Sequence, residues 1–414
     1  MKKILFSLLS IVALGSFSSC LINPSTASEN KNIDDSLLIN FKPQIDSSEV
    51  TMVAVGDNLY DWYMLEAGKT GDNSFNFDDN YNNIKKYLTL GDFAVINQET
   101  PLGGDEGYLG SEVEEKYIHS KNRWGAYHGY SNFNSPDAVG NAIVKAGFNV
   151  VTMATNHVLD HGFKALENSV KFWEQYPEIP LIGIHKDKES ADNITILSKN
   201  NIKIAILNYT YGVNCGNDLT KYPYSVDILN KEKIKTDVAK AKEMADFVVV
   251  FAHWGTEYLL TTSESQKKYT QIFLDAEVDV VVGTHPHIIE PIEWVTKSNG
   301  HKMLVYYSLG NFISMFKDVK CQIEGMAYLK FYKDNNSKYI KEGTIIPLVN
   351  HWNYDAKAYG GRTNFTVFAL QDYTQDIAKQ HGCLHYKGGV GFSSEYMNQL
   401  ANQMWNGFVK KVEW

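Results

Sequence analysis

The sequence predicts an α/β protein in which β-sheets are covered by helices on their outer faces. Strand-like runs alternate with helical patterns over most of the 414 residues. The runs are apolar throughout rather than alternating, as in strands buried on both faces. Polar residues also cluster directly after the strand ends, where α/β folds place their sites.

Taken in order, Val50 to Val55 is a β-branched run ending at Gly56-Asp57. Tyr81 to Leu90 reads as a helix, and Phe93 to Ile96 as a strand running into Asn97-Gln98-Glu99. Thr100 to Ser135 is a Gly-, Tyr- and charge-rich insertion without period, the composition of a lid or rim loop. Ser135-Pro136-Asp137 reads as an N-cap with proline in the first turn, opening a helix to about Ala146. Asn149 to Ala154 is a strand ending at Thr155-Asn156-His157, and it is followed by a helix, Phe163 to Tyr176, and a strand, Ile202 to Tyr209. A second set repeats the pattern. Helix Lys231 to Ala245 leads to strand Phe247 to Ala252, which ends at His253-Trp254-Gly255. Helix Ser265 to Ala276 leads to strand Val278 to Val282, which ends at Gly283-Thr284-His285-Pro286-His287. Met303 to Tyr307 then runs into Ser308-Leu309-Gly310-Asn311-Phe312. Gly325 to Tyr332 and Tyr339 to Ile346 alternate like a hairpin, and a helix near Tyr396 to Val409 closes the chain.

The amino terminus predicts export. Lys2 and Lys3 precede an apolar stretch, Ile4 to Phe17, of signal-peptide length. That is shorter than the roughly 20 residues of a membrane span. Ser18-Ser19-Cys20 then resembles a bacterial lipobox, with Phe17 in place of the usual aliphatic residue, so lipid anchoring to the membrane and plain secretion both remain open. The expected organisation is a leader over residues 1–20, a Ser-, Asn- and Asp-rich tether over 21–48, a catalytic-type domain over 49–315 and a C-terminal α+β extension over 316–414. The formal charge of −9, without a basic run, gives no support for a nucleic-acid partner. Cys215, Cys321 and Cys383 show no metal-type spacing; at most one disulfide could join two of them.

The chemistry rests on joint occurrence. A histidine after a strand is on its own more often a cap or surface residue, and Gly-Asp is often only a turn. Here, however, Asp57 and Glu99 supply carboxylates, Asn156 an amide oxygen, and His253, His285 and His287 imidazoles, each at a strand end. His285 and His287, at i and i+2 in one turn, can aim at one point. Such a mixed set suits one or two divalent ions of zinc, manganese or iron, which would lower the pKa of bound water. Asp160 and Glu257 are candidates to hold imidazole N–H groups. Asn97, Glu257 and Asn311 are candidates to meet substrate. GxSxG, Walker A and GxGxxG patterns are absent, which removes the corresponding serine-hydrolase and nucleotide-binding readings.

The series Gly56-Asp57, Asn97-Gln98-Glu99, AGFNVVTMATNHVLDHG (Ala146 to Gly162), HWGTEY (His253 to Tyr258), GTHPH (Gly283 to His287) and YSLGNF (Tyr307 to Phe312) resembles the CapA family of bacterial capsule synthesis proteins. The likeness covers roughly residues 50 to 315 in the family's order. It implies a calcineurin-like metallophosphoesterase fold: a four-layer sandwich of two sheets between helices, with the motifs at one end. By that resemblance Asn156, His253 and His285 serve one metal, Asp57 and His287 the other, and His157, with Asp160, acts as catalytic proton donor. In the wider phosphoesterase pattern the first motif is Asp-x-His; here Asn58 and Leu59 follow Asp57, and Glu99 is the candidate replacement for a carboxylate of the second motif. The implied partner is an anionic cell-surface polymer, poly-γ-glutamate, or a capsule-synthesis complex. Three activities are compatible: metal-dependent hydrolysis of the polymer, a non-catalytic assembly or export role, and a phosphoesterase.

Overall fold

The first strand, β1 (Ser47–Asn58), begins three residues before its apolar run and lies inside an eight-stranded sheet. The computed structural model describes residues 47–71, 74–104, 127–215 and 217–414. The expected leader, Cys20, the tether up to residue 46 and most of the Thr100 to Ser135 insertion lie outside the described residues. Ser47 and Ser48, assigned to the tether, instead pair with Asp334 and Lys333.

The first sheet grows from β1 in both directions. On one side lie β2 (Phe93–Gln98), β3 (Val150–Thr152) and β4 (Leu181–Ile182), all parallel. Helices α2 (Asp137–Ala146) and α3 (Gly162–Trp173) make the crossovers between them; α1 (Trp62–Gly68) precedes β2. Right-handed connection of parallel neighbours places α2 and α3 on one face of the sheet.

The second sheet follows in sequence. It contains β5 (Thr195–Lys199), β6 (Ile202–Thr210), β7 (Phe247–His253), β8 (Val280–Thr284), β9 (Ile292–Thr296) and β10 (Lys302–Tyr306), in the order β9-β10-β8-β7-β6-β5. Helices α4 (Lys231–Met244) and α5 (Glu264–Ala276) cover its outer face. The residues alternate between two cores. Ile204, Ile206, Val249, Phe251, Val280 and Val282 join the main core, while Ala205, Leu207, Val248, Val250 and Val281 pack with Ile234, Val238 and Phe273 of the helices. Both faces are therefore buried, which is why the strands are continuously apolar in sequence. The two sheets meet through contacts such as Phe247 on Phe331, with ring centroids 5.0 Å apart. This is the four-layer arrangement expected: helices, sheet, sheet, helices.

Residues beyond 315 complete the first sheet. After the short β11 (Asn311–Ile313), parallel to β1, come β12 (Ile323–Asp334), β13 (Lys338–Tyr354) and β14 (Arg362–Ala369). β12 pairs antiparallel with β1 itself over Val50↔Phe331 to Val55↔Met326, so the region from 316 onward supplies strands to the sheet that carries Asp57. Helix α6 (Ser394–Met404) packs Met397 and Leu400 into the same core.

Three local expectations are corrected. Tyr81 to Leu90 forms a 3₁₀ turn at Asp78–Tyr81 and a single α turn at Lys85–Leu88, separated by the poor helix formers Asn82 and Asn83. Ser135 does not cap α2: the N-cap is Pro136, and the Ser135 hydroxyl lies 2.7 Å from that of Thr100. The last helix stops at Met404. Gly407, at φ +81°, turns the chain so that Phe408 and Lys410 pair with Ile345. The three cysteines among the described residues are free thiols.

Candidate metal centre

Asp57 leaves β1 at a place where no side chain fits before it. A Cβ on Gly56 would stand 1.9 Å from the Gly310 carbonyl oxygen, and that same oxygen accepts from the Asp57 N–H at 3.2 Å. The close approach of these two backbones fixes where the carboxylate starts. One carboxylate oxygen accepts from Asn97 Nδ2 at 2.7 Å, and the other from the backbone N–H of His285 at 2.9 Å. A residue of the first sheet thereby holds the turn of the second.

That turn is strained. His285 and His287 both lie in the left-handed region, at φ +96° and +58°, on either side of Pro286. Non-glycine residues persist there only when their surroundings impose it, and such strain concentrates at functional sites. The result turns both imidazoles toward Glu99: one ligand atom from each of Glu99, His285 and His287 lies within 4.8 Å of the others. His287 Nδ1–H donates to Asn311 Oδ1 at 2.9 Å, leaving Nε2 with its lone pair 3.9 Å from Glu99 Oε1. His253 stands beside them, Nε2 2.7 Å from Asn156 Oδ1 and 3.7 Å from Glu99 Oε1, Nδ1 3.0 Å from Thr284 Oγ1.

Fully buried polar atoms are normally hydrogen-bonded. Here both oxygens of Glu99 and Nδ1 of His285 have no partner among the described residues. Burial, reinforced by Asp57, pushes the Glu99 carboxyl well above its usual range, and burial raises Asp57 to about 7. Burial drives the imidazoles the other way, His285 to about 3 and His287 to about 4. Buried carboxylates without a cation beside neutral imidazoles form a donor set that fits a divalent metal, which would reverse the carboxylate shifts.

His157 faces the cluster from the first-sheet side. Its Nδ1–H donates to Asp160 Oδ2 at 2.7 Å, and Asp160 is itself fixed by the Phe133 N–H at 2.9 Å. Asn214 Oδ1 accepts from Asn156 Nδ2 at 3.4 Å, and the Asn214 Nδ2 lies 3.4 Å from His157 Nδ1.

Residues 51–315 match the bacterial capsule synthesis protein family PGA_cap. The chain belongs to that family. It is 26% identical over 309 residues to the capsule biosynthesis protein CapA of Bacillus anthracis, covering 73% of this chain and 68% of the relative. It is 32% identical over 167 residues to the PGA biosynthesis protein CapA of Bacillus subtilis (strain 168), covering 40% and 42%. Solved structures with lower similarity include a phosphatase of Mycoplasma pneumoniae, 14% identical with a TM-score of 0.39 over 73% of this chain and 94% of that one. A 5'-nucleotidase of Candida albicans is 12% identical with a TM-score of 0.37, over 69% and 51%.

In this PGA_cap member all six residues expected as metal ligands, Asp57, Glu99, Asn156, His253, His285 and His287, come to one place. Two residues expected to meet substrate do not face it. Asn97 is buried, its amide engaged by Asp57 and by Thr152 Oγ1 at 3.0 Å. Asn311 is fully buried, accepting from His287 and donating to its carbonyl oxygen at 3.0 Å. Both brace candidate ligand residues. Glu257 is exposed and near enough to raise Glu99, but it holds no imidazole among the described residues; Asp160 does.

Sequence reasoning missed Thr284, Asn214 and Glu324. Glu324 is fully buried on β12 with neither carboxylate oxygen partnered, and burial followed by Asp57 raises its carboxyl well above the usual range. The one available signal was a lone acid in the apolar stretch Ile323 to Leu329.

Proposed function

We propose that this PGA_cap member is a metal-dependent hydrolase of an anionic cell-surface polymer, with poly-γ-glutamate as the polymer. In this reading it acts in the cell envelope, exported by its leader and lipid-anchored at Cys20. The observation that carries the proposal is the Glu99 carboxylate: fully buried, without a hydrogen-bond partner at either oxygen among the described residues, and facing His285 and His287.

Glu99, His285 and His287 would hold a divalent cation, with Asp57, Asn156 and His253 alongside for the same or a second ion. When bound, that ion supplies Lewis acidity and lowers the pKa of water toward neutrality. The protein's own residues do the rest. Asp57 and Asn311 keep the His285–His287 turn in its strained form. Asp160 fixes the His157 tautomer, so that Nε2 points away from the pair and can carry a proton to a leaving amine or alkoxide. Phe133, edge-on to the His157 ring at 4.6 Å between centroids, restricts its rotation.

A second reading, a non-catalytic assembly or export subunit, is favoured by Leu59, a buried apolar side chain where the wider phosphoesterase pattern has histidine. Metal analysis of the detergent-solubilised full chain separates the two. The hydrolase reading expects at least one equivalent of transition metal, lost in His285→Ala and His287→Ala together with cleavage of a γ-linked glutamate oligomer. No metal after reconstitution would leave the assembly role. Metal with cleavage of phosphoesters alone would leave a phosphoesterase.

A further inference from the structure

Tyr211 follows β6, and Tyr258 comes shortly after His253 at the end of β7. Both stand at the surface, 45% and 51% exposed, yet both touch the metal centre. The Tyr211 ring centroid is 4.7 Å from that of His285, and the Tyr258 centroid is 6.0 Å from that of His287. The main chain fixes each of them to a cluster-bearing segment. The Tyr211 N–H donates to the His253 carbonyl at 2.9 Å, and the Tyr258 N–H donates to the Pro286 carbonyl at 2.9 Å. Tyr258 is also held at φ +64°, a conformation that a bulky side chain adopts only when its surroundings impose it.

The cluster meets solvent at the same place. Asp57, Glu99 and His253 are sealed, whereas His157, His285 and His287 keep 7%, 4% and 4% of their surface exposed. Solvent therefore reaches the cluster along these imidazoles, and two of the three carry a tyrosine ring. Phe316 backs Tyr258, with ring centroids 5.8 Å apart, and its own centroid is 5.1 Å from that of His287. Charge is scarce along this edge. Neither 208–214 nor 253–262 contains a Lys or Arg, and the one acid in these two segments, Glu257, is exposed beside Tyr258. What the two segments offer an incoming chain is ring faces, not cations.

We propose that Tyr211 and Tyr258 form an aromatic clamp that seats the planar amide and the methylenes of the polymer backbone, bringing one amide carbonyl to the cluster. This rests on the hydrolase reading and names the residues that position its substrate. Tyrosine rings supply a large, rigid contact face at small cost in conformational entropy. Rings already fixed by the main chain hold their place before substrate arrives, as alignment of a reacting carbonyl requires. With an acid and no base on these segments, the carboxylates of the polymer turn to solvent, and the contact is made through its uncharged backbone.

The test follows a fluorescent γ-linked glutamate hexamer, in binding to the full chain in detergent after chelation and in cleavage by the metal-loaded chain. Tyr211→Leu and Tyr258→Leu should each weaken binding, and raise KM, about two- to tenfold. Metal content should match wild type. Tyr211→Phe and Tyr258→Phe retain the rings and should keep most of the affinity, which separates loss of a ring from loss of fold. The hexamer as its methyl ester should bind the chelated chain as tightly as the free acid. Wild-type affinity in both leucine variants, no binding of the hexamer by the wild type, or an ester bound about tenfold more weakly than the acid would overturn the clamp. So would phenylalanine variants as weak as the leucine ones, because hydroxyls rather than rings would then hold the chain. Metal lost together with binding would overturn it too, by assigning the rings to bracing the imidazoles. Cleavage unaffected by all four substitutions would leave the hydrolase and remove the clamp. Ring-dependent binding without cleavage would leave the clamp and remove the hydrolase.

Discussion

Asp57 lies at the end of β1, and Glu99 and Asn156 follow β2 and β3 of the first sheet, whereas His253, His285 and His287 end or follow β7 and β8 of the second. One sheet contributes oxygen and the other nitrogen. They also differ in what makes them unusual. The oxygen side carries buried acids whose charged forms are disfavoured: Glu99 has no hydrogen-bond partner among the described residues, and Asp57 is raised to about 7. The nitrogen side carries backbone strain: His285 and His287 have positive φ, and Asp57, Glu99 and Asn156 do not. Neither half is a metal site alone. Two bonds hold them together, the His285 N–H to Asp57 and His253 Nε2 against Asn156. The lesson is that the packing of one sheet on the other assembles this centre, and a cation would compensate the charge on one side while being aimed at by the strain on the other.

The strongest way to sharpen this contrast is His157→Ala. His157 belongs to the first-sheet side and its imidazole is oriented by Asp160, outside the candidate ligand set, so hydrolysis should fall about 10²–10⁴-fold with metal content unchanged. Parallel metal analysis and oligomer cleavage check this; loss of metal would mean that the imidazole belongs with the ligands.

A smaller effect compares the braces. Asn97→Ala removes the donor to Asp57 on the oxygen side, and Asn311→Ala removes the acceptor that orients His287 on the nitrogen side. Each should lower metal affinity about 10–100-fold in a competitive chelator titration. An unchanged affinity in Asn97→Ala would reduce the centre to Glu99, His285 and His287.

The smallest concerns Glu290, just past the strained turn. Burial raises its carboxyl from 4.5 to about 8. The folded chain therefore keeps a proton that the unfolded chain releases. That contribution to stability is full below pH 4.5 and is lost as the pH rises through about 8. The slope is at most about 1.4 kcal/mol per pH unit. Thermal melts of Glu290→Gln should decline less than wild type across this window; parallel profiles would show that the carboxyl titrates normally.

How much of this was legible varied with the kind of signal. Strands were read well because burial on both faces leaves continuous apolar runs, as in Val278 to Val282. The candidate ligands were legible because each lies at or within a few residues of the end of such a run. That the amides of Asn97 and Asn311 engage Asp57 and His287 was not legible, because an amide at a strand end looks the same whether it faces substrate or a neighbouring side chain. Glu324 passed unnoticed because a single acid in an apolar strand carries no spacing signal of its own.

The chain by itself determined the alternation of strands and helices, the sets of residues at strand ends and the turn chemistry of the His-Pro-His segment, because these depend on local periodicity and spacing. Only the tertiary structure decided which strand ends meet, that β12 beyond residue 315 pairs with β1, and that the Phe316 ring packs 5.1 Å from that of His287. Those contacts join residues from tens to hundreds of positions apart, where side-chain packing and the burial of charge set the outcome and local propensity has no say.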